Sequence, residues 1–448
     1  MHLAKLTITK YLPVLIIACG LQHTVLSQEN SPYSRYGLGD LVPGANIVNR
    51  GMGSVAAAVS DYSSINFTNP ASYGNLQSTI FDIGLEVDKR TLKSTTPAAR
   101  FGSTNAVMSY LQLGFPIRMT KANKKGIFWG MNIGLKPVSR INYKISKREY
   151  LPGPGVNDSL GTIYEGSGGV NQAYLGTGLR IKNFSLGVNG GYMFGNKDYS
   201  TGLSFLNDTV QYAQSNTASK TNFGGLFLTA GLQFEKRIKL KDKKVSVLRF
   251  GAYGNLKQTM SANRDITVET VLFDAAGNKF RVDSVYENGA KGDVVYPASI
   301  GAGVSYQTSN WLFAADYETT KWQDYRLYNQ TDLVQTNWKI RVGTEYLPLK
   351  ENTPFKKYFS FVRYRFGFYY GPDYINVNSN RPEYGFSFGA GFPLKLRKGY
   401  YETQTSLLNT AIEFGSRGDK KSNLRESTFR ISVGLSLSDL WFRRQVYQ

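Results

Sequence analysis

The chain has 448 residues and a net charge of +21, from 53 Lys and Arg against 32 Asp and Glu. One Cys and two His leave little for a disulfide framework or a His-based metal centre, while Gly (46), Tyr (30) and Phe (26) are abundant. Aromatic residues among many glycines suit an interface that is apolar at one end and wet at the other.

Residues 1–27 read as a secretory signal peptide. Lys5 and Lys10 form the basic region, residues 11–21 a short apolar core, and Val25-Leu26-Ser27 a cleavage site. The core is too short for a membrane span. A lipoprotein signal is the alternative, because Ile16-Ile17-Ala18-Cys19 resembles a lipidation box. Cys19, His2 and His23 all fall in this leader, so the expected mature chain has neither residue type. Thiol nucleophiles, zinc sites of the usual kind and Ser-His-Asp triads are then excluded, and no cofactor or enzyme activity is expected. Losing Lys5 and Lys10 lowers the charge from +21 to +19. Such a charge ordinarily points to nucleic acid, but an exported chain does not meet it.

Residues 28–77 alternate little. They contain S-P-Y-S-R-Y-G-L-G-D (31–40), R-G-M-G-S-V-A-A-A (50–58) and S-S-I-N-F-T-N-P-A-S-Y (63–73). From residue 78 a period of two takes over. Phe184, Leu186 and Val188 alternate with Ser185, Gly187 and Asn189; Phe386, Phe388 and Ala390 alternate with Ser387, Gly389 and Gly391. Long segments with one apolar face and one polar or glycine face predict a transmembrane β-barrel, against a soluble sandwich of shorter strands. The pattern predicts fourteen antiparallel strands, at 78–92, 104–120, 126–147, 167–182, 183–203, 218–237, 244–268, 292–307, 310–328, 330–348, 356–377, 382–397, 400–416 and 424–442, with a tail at 443–448. An even number closes without an edge. Alternate connections are short and basic: Lys121–Lys125, Ile181–Asn183, Lys236–Lys244 and Lys395–Lys398. Those between them are longer, as at 148–166, 204–217 and 269–291. This asymmetry places the basic turns in the periplasm of a Gram-negative outer membrane. There they meet either anionic lipid head groups or an acidic protein partner.

The three quoted stretches, with Asn69-Pro70-Ala71 just ahead of the first strand, resemble the FadL/TodX family of outer-membrane barrels. The resemblance implies that residues 28–77 fold as a plug, the hatch, inside the barrel at 78–442. It also implies passage of hydrophobic compounds such as fatty acids. FadL-like barrels reused as non-transporting subunits of protein-export or assembly complexes give the alternative function. Asn69-Pro70-Ala71 read alone is also a plain turn.

Two further features follow the chain. The third strand holds its alternation from Ile127 to Ile145, with Pro137 on the apolar face beside Gly134. Proline removes a ladder bond, which marks either a simple bulge or, as the resemblance implies, an inward kink that opens the wall sideways. Asp316 and Glu318 share the polar face of the ninth strand, and Lys339 and Arg341 that of the tenth. Paired charges lining the lumen explain them better than acid–base catalysis, since no nucleophile or metal set accompanies them.

Overall fold

In the computed structural model the described residues are 31–95, 98–117, 120–153, 156–206, 212–239, 245–273, 278–350, 357–377, 381–394, 406–418 and 424–439. The leader, the tail, the turn at 395–398 and much of that at 236–244 lie outside them. The described residues form fourteen barrel strands: β1 (Thr79–Thr95), β2 (Ala98–Ile117), β3 (Ile127–Gly153), β4 (Val156–Ile181), β5 (Phe184–Phe205), β6 (Gln214–Lys239), β7 (Val245–Asn255 and Gln258–Phe273), β8 (Lys279–Tyr296 and Ser299–Gln307), β9 (Trp311–Thr320), β10 (Asn337–Tyr346), β11 (Arg363–Pro372), β12 (Pro382–Pro393), β13 (Leu407–Arg417) and β14 (Leu424–Asp439). Each pairs antiparallel with its sequence neighbours, and β14 closes on β1 from Leu424↔Ser94 to Asp439↔Thr79.

The barrel is apolar outside and polar inside. Leu85, Ile133, Leu175, Phe250, Ile340 and Phe388 stand exposed on the wall, whereas Asp82, Glu86, Asn132, Gln172, Asp316 and Ser387 are buried. That inversion of the usual pattern is what lipid outside and a polar lumen require. Among the described residues no helix is long and apolar enough to span a bilayer.

Three expectations need correction. First, the long connections at 148–166 and 269–291 are mostly strand. The β3–β4 and β7–β8 hairpins run on past the apolar band, so the outer side gains height through strand length. Second, the ninth strand ends early and the tenth starts late, because residues 321–336 turn inward and bury Trp322 and Tyr325 against the plug. Third, the face of β3 does not hold for nineteen residues. Asn132 and Gly134 point inward below Pro137, but Ser139, Ile141 and Tyr143 do so above it. A one-residue bulge between Pro137 and Ser139 reverses the phase.

Candidate functional site: the plugged lumen and its wall break

Residues 31–78 occupy the lumen. Their middle is a single helical turn, α1 (Ile47–Arg50), whose Asn46 side chain accepts from Asn49 N at 2.9 Å. Further on, Pro70–Asn75 forms a 3-10 turn capped by Asn69. Asn69 is fully buried. Its Nδ2 donates to Ala57 O at 2.6 Å and reaches Leu232 O and Ala252 O of β6 and β7 at 3.3 Å. Pro70 and Ala71 lie against Gly187 and Gly178, where a Cβ would overlap the plug backbone. Gly251 is pressed in the same way by Ala57, and Gly367 by Gly53. These four inward-facing glycines are therefore seats for plug backbone.

Ion pairs fasten plug to wall. Arg50 is buried and pairs with Glu86 of β1 at 2.7 Å and Glu413 of β13 at 2.5 Å. Asp40 pairs with Arg90 at 2.5 Å and Arg417 at 2.8 Å. Burial alone would raise the Asp40 carboxyl, but the two guanidinium groups outweigh it and hold the group far below the usual carboxylate range. Asp61 receives Arg363 at 2.9 Å. Burial opposes its ionisation too, yet Arg363 and the Ser63 hydrogen bonds lower its pKa. A search for paired charges in sequence misses Arg50, Asp40 and Asp61, whose partners lie from 36 to 377 residues away. The one available signal is a charge set in a stretch rich in Gly and Ala.

The four lumen charges divide their work. Asp316 and Arg341 face each other across the β9–β10 ladder, as do Glu318 and Lys339. The ion pairs run diagonally, with Arg341 to Glu318 at 2.5 Å and Lys339 to Glu383 of β12 at 2.9 Å. Asp316 instead accepts the backbone N–H of Ala56 and Ala57 at 2.5 and 2.8 Å. It is a plug anchor.

Gly134 and Pro137 sit at different levels. At Gly134 the wall is continuous, with Gln112 on one side and Tyr174 on the other, and their side chains fill the space. Above it the β2–β3 ladder stops at Leu111↔Leu135. The freed edge of β3 is taken by the plug, where Asp40 and Leu41 pair with Arg140 and Ser139 and Val42 N donates to Val138 O at 3.0 Å. A cavity of about 340 Å³ lies at this break, lined by Met108, Leu135, Lys136, Pro137 and Arg140. A lumen cavity of about 280 Å³ shares Lys136 and Pro137 with it. Phe67, Met193, Phe227 and Tyr296 line part of the lumen cavity, but so do Glu318, Lys339, Arg341, Glu383, Arg417 and Arg430.

The family model described as BamG matches residues 8–448. Among curated proteins none matches the chain. Solved structures do. The CymD monoaromatic hydrocarbon channel is 14% identical with a TM-score of 0.53, covering 90% of this chain and 100% of its own. The Pseudomonas putida toluene transporter TodX is 16% identical with a TM-score of 0.55, at 90% and 100% coverage. A Pseudomonas aeruginosa FadL homologue is 13% identical with a TM-score of 0.51, at 89% and 98%. At such identities the likeness establishes the FadL-type barrel fold.

Proposed function

The chain belongs to the BamG family, and we propose that it is a plugged, non-transporting outer-membrane barrel, a subunit of a protein-export or assembly complex. The observation that carries this reading is the filled lumen. Arg50 ties the plug to the neighbouring strands β13, β14 and β1, Asp61 ties it to β11 and Asp316 holds it to β9, and the lumen cavity is ringed by charges. A hydrophobic compound needs an apolar path, and each charge it passes would have to be desolvated. The reading involves no covalent step. Its periplasmic rim has a contact surface to offer: Lys121, Lys124 and Lys125 stand exposed near α2 (Thr120–Lys124), and Lys182 N bonds Gly126 O beside them. Such a cluster fits an acidic protein face or anionic lipid head groups.

The second reading is uptake of hydrophobic, fatty-acid-like molecules with sideways exit. The wall break at Pro137 favours it, and two of the similar solved structures are a monoaromatic hydrocarbon channel and a toluene transporter. Purified barrel in liposomes decides between the two when saturable uptake of laurate and toluene is measured alongside the mass of the gently solubilised native particle. Absent uptake and a particle larger than one barrel support the subunit. Saturable uptake by a barrel that migrates alone overturns it.

A further inference from the structure

The wall has a second break, on β7 and β8. No proline marks it in β7, where Gly254 falls two residues before Leu256. Asn255 pairs with Ser299 below and Gln258 with Tyr296 above, so Leu256-Lys257 and Pro297-Ala298 interrupt both strands at one height. Against β6 the register slips by one, from Ala230↔Gly254 below to Gly224↔Ser261 above. The inward face changes accordingly: Tyr253 reaches Glu318 in the lumen below the break, and Met260 and Ala262 are buried above it.

Side-chain amides stand where the ladder is missing. Leu228 N donates to Gln258 Oε1 at 3.2 Å, and Gln258 Nε2 donates to Leu228 O at 3.0 Å. Asn255 Nδ2 donates to Leu256 O at 3.0 Å and Pro297 O at 2.9 Å. Inside, Phe227, Thr229, Asn255, Gln258 and Tyr296 line the lumen cavity, and Tyr174 stacks edge-on to Phe227 at 6.3 Å. Outside, Leu226, Leu228 and Leu256 are 78%, 56% and 81% exposed.

We infer that this break is a lateral lipid-binding site, gated by Gln258, in which an acyl chain from the bilayer passes between Leu228 and Leu256 to lie on Phe227 and Tyr296. An acyl chain is the chemistry that fits, because the approach is leucine and the floor aromatic. The groups at the rim are amides whose hydrogen bonds are internal. Backbone exposed to lipid must be satisfied within the protein, and a side chain that does this can swing away where a ladder cannot. The site stands apart from the subunit reading, since a lipid seat serves a plugged subunit and a conduit alike.

The expected mature chain lacks cysteine, so Thr229→Cys gives a single thiol on the cavity wall. Proteoliposomes carrying it are treated with three reagents: a phospholipid with a chain-terminal maleimide, a maleimido fatty acid and a water-soluble maleimide. Gln258→Leu should speed labelling by an acyl reagent about tenfold, the factor two modest hydrogen bonds confer on a closed–open equilibrium, and leave the water-soluble reaction unchanged. Acceleration with the phospholipid identifies bilayer lipid as the source, and acceleration with the fatty acid alone identifies free fatty acid. Gln258→Asn, too short to reach Leu228, gives the same readout if the Leu variant does not fold. Equal labelling in variant and parent, a matching rise with the water-soluble reagent, or loss of acyl labelling on Pro137→Val overturns the inference.

Discussion

Arg50 and Glu413 are 363 residues apart in sequence, yet Arg50 Nη2 lies 2.5 Å from Glu413 Oε2, buried where the plug meets the barrel wall. Glu86 takes the same guanidinium from β1, and Ser432 of β14 accepts from it at 2.8 Å. One side chain therefore joins the plug to three strands. Replacing it with methionine leaves Glu86 paired to Arg140 and Glu413 only to the more distant Arg430, and breaking a buried pair costs about 3–5 kcal/mol. Arg50→Met should lower the temperature at which the barrel loses its fast gel mobility and raise its conductance in planar bilayers. An unchanged conductance would show that the glycine seats hold the plug unaided.

The outer latch should respond to acid. The Asp40 carboxyl is depressed in the folded state, so its stabilising pairs with Arg90 and Arg417 are complete above the ordinary carboxylate pKa and fade as pH falls below it. Release should begin near about pH 4 and be absent between neutral pH and that point. A cysteine at Ser31, whose hydroxyl bonds the buried Glu426 at 2.6 Å, reports release through its labelling rate. Asp40→Asn should label fast at neutral pH and lose the acid dependence.

These two anchors show where sequence legibility ends. Strand number follows from a local property, alternation of adjacent residues, and the fourteen segments are visible on that account. Asp316 and Glu318 read as inward for the same reason. What Asp316 binds is not local. Its partners are the N–H groups of Ala56 and Ala57, 260 and 259 residues away, and backbone donors have no sequence signature. Phase reversals are equally hidden. Pro137 announces one, whereas Leu256-Lys257 looks like ordinary strand and shows only in the register against β6. Glycine is ambiguous for another reason. Gly134 makes room for wall side chains and Gly251 for plug backbone, and composition cannot separate the two.

Asp316→Ala should loosen the plug without opening the wall. It removes the acceptor of two buried backbone N–H groups, each left with a desolvation cost of about 1–3 kcal/mol. Asp316→Asn keeps one acceptor oxygen and should lie between variant and parent. Hydrogen exchange at Ala56 and Ala57 is the measurement, with barrel-strand amides as the internal reference. Faster exchange across all strands would instead mean that Asp316 supports the wall.

Gly251→Val tests the seats. A side chain there meets the Ala57 carbonyl and cannot be accommodated without moving the plug. Gly202, where a Cβ meets nothing, is the control site on β5. Protease sensitivity of residues 31–78 should rise in Gly251→Val and stay at the parental level in Gly202→Val, while both barrels keep their heat-shifted gel mobility.

Pro137→Val addresses the first wall break. Pro137 pairs with Asn171 but brings no N–H, and Val138 is the extra residue that turns Ser139 inward. The β2–β3 ladder ends two residues earlier, at Leu135. The plug already supplies Asp40 and Leu41 to the β3 edge at Ser139 and Arg140, so valine regains a donor at 137 without freeing the edge above it. Stability should be equal or slightly higher, within about 0.5–1 kcal/mol for one added hydrogen bond. The informative readout is a cysteine at Met108, on the rim of the break. If the proline alone holds the break open, the valine variant should slow labelling of that cysteine by a lipid-borne maleimide. If the plug strand holds it open, the rate stays the same until Asp40→Asn is added. The double variant thus separates a break built into the wall from one propped by the plug. Only the first would give a hydrophobic compound a standing exit.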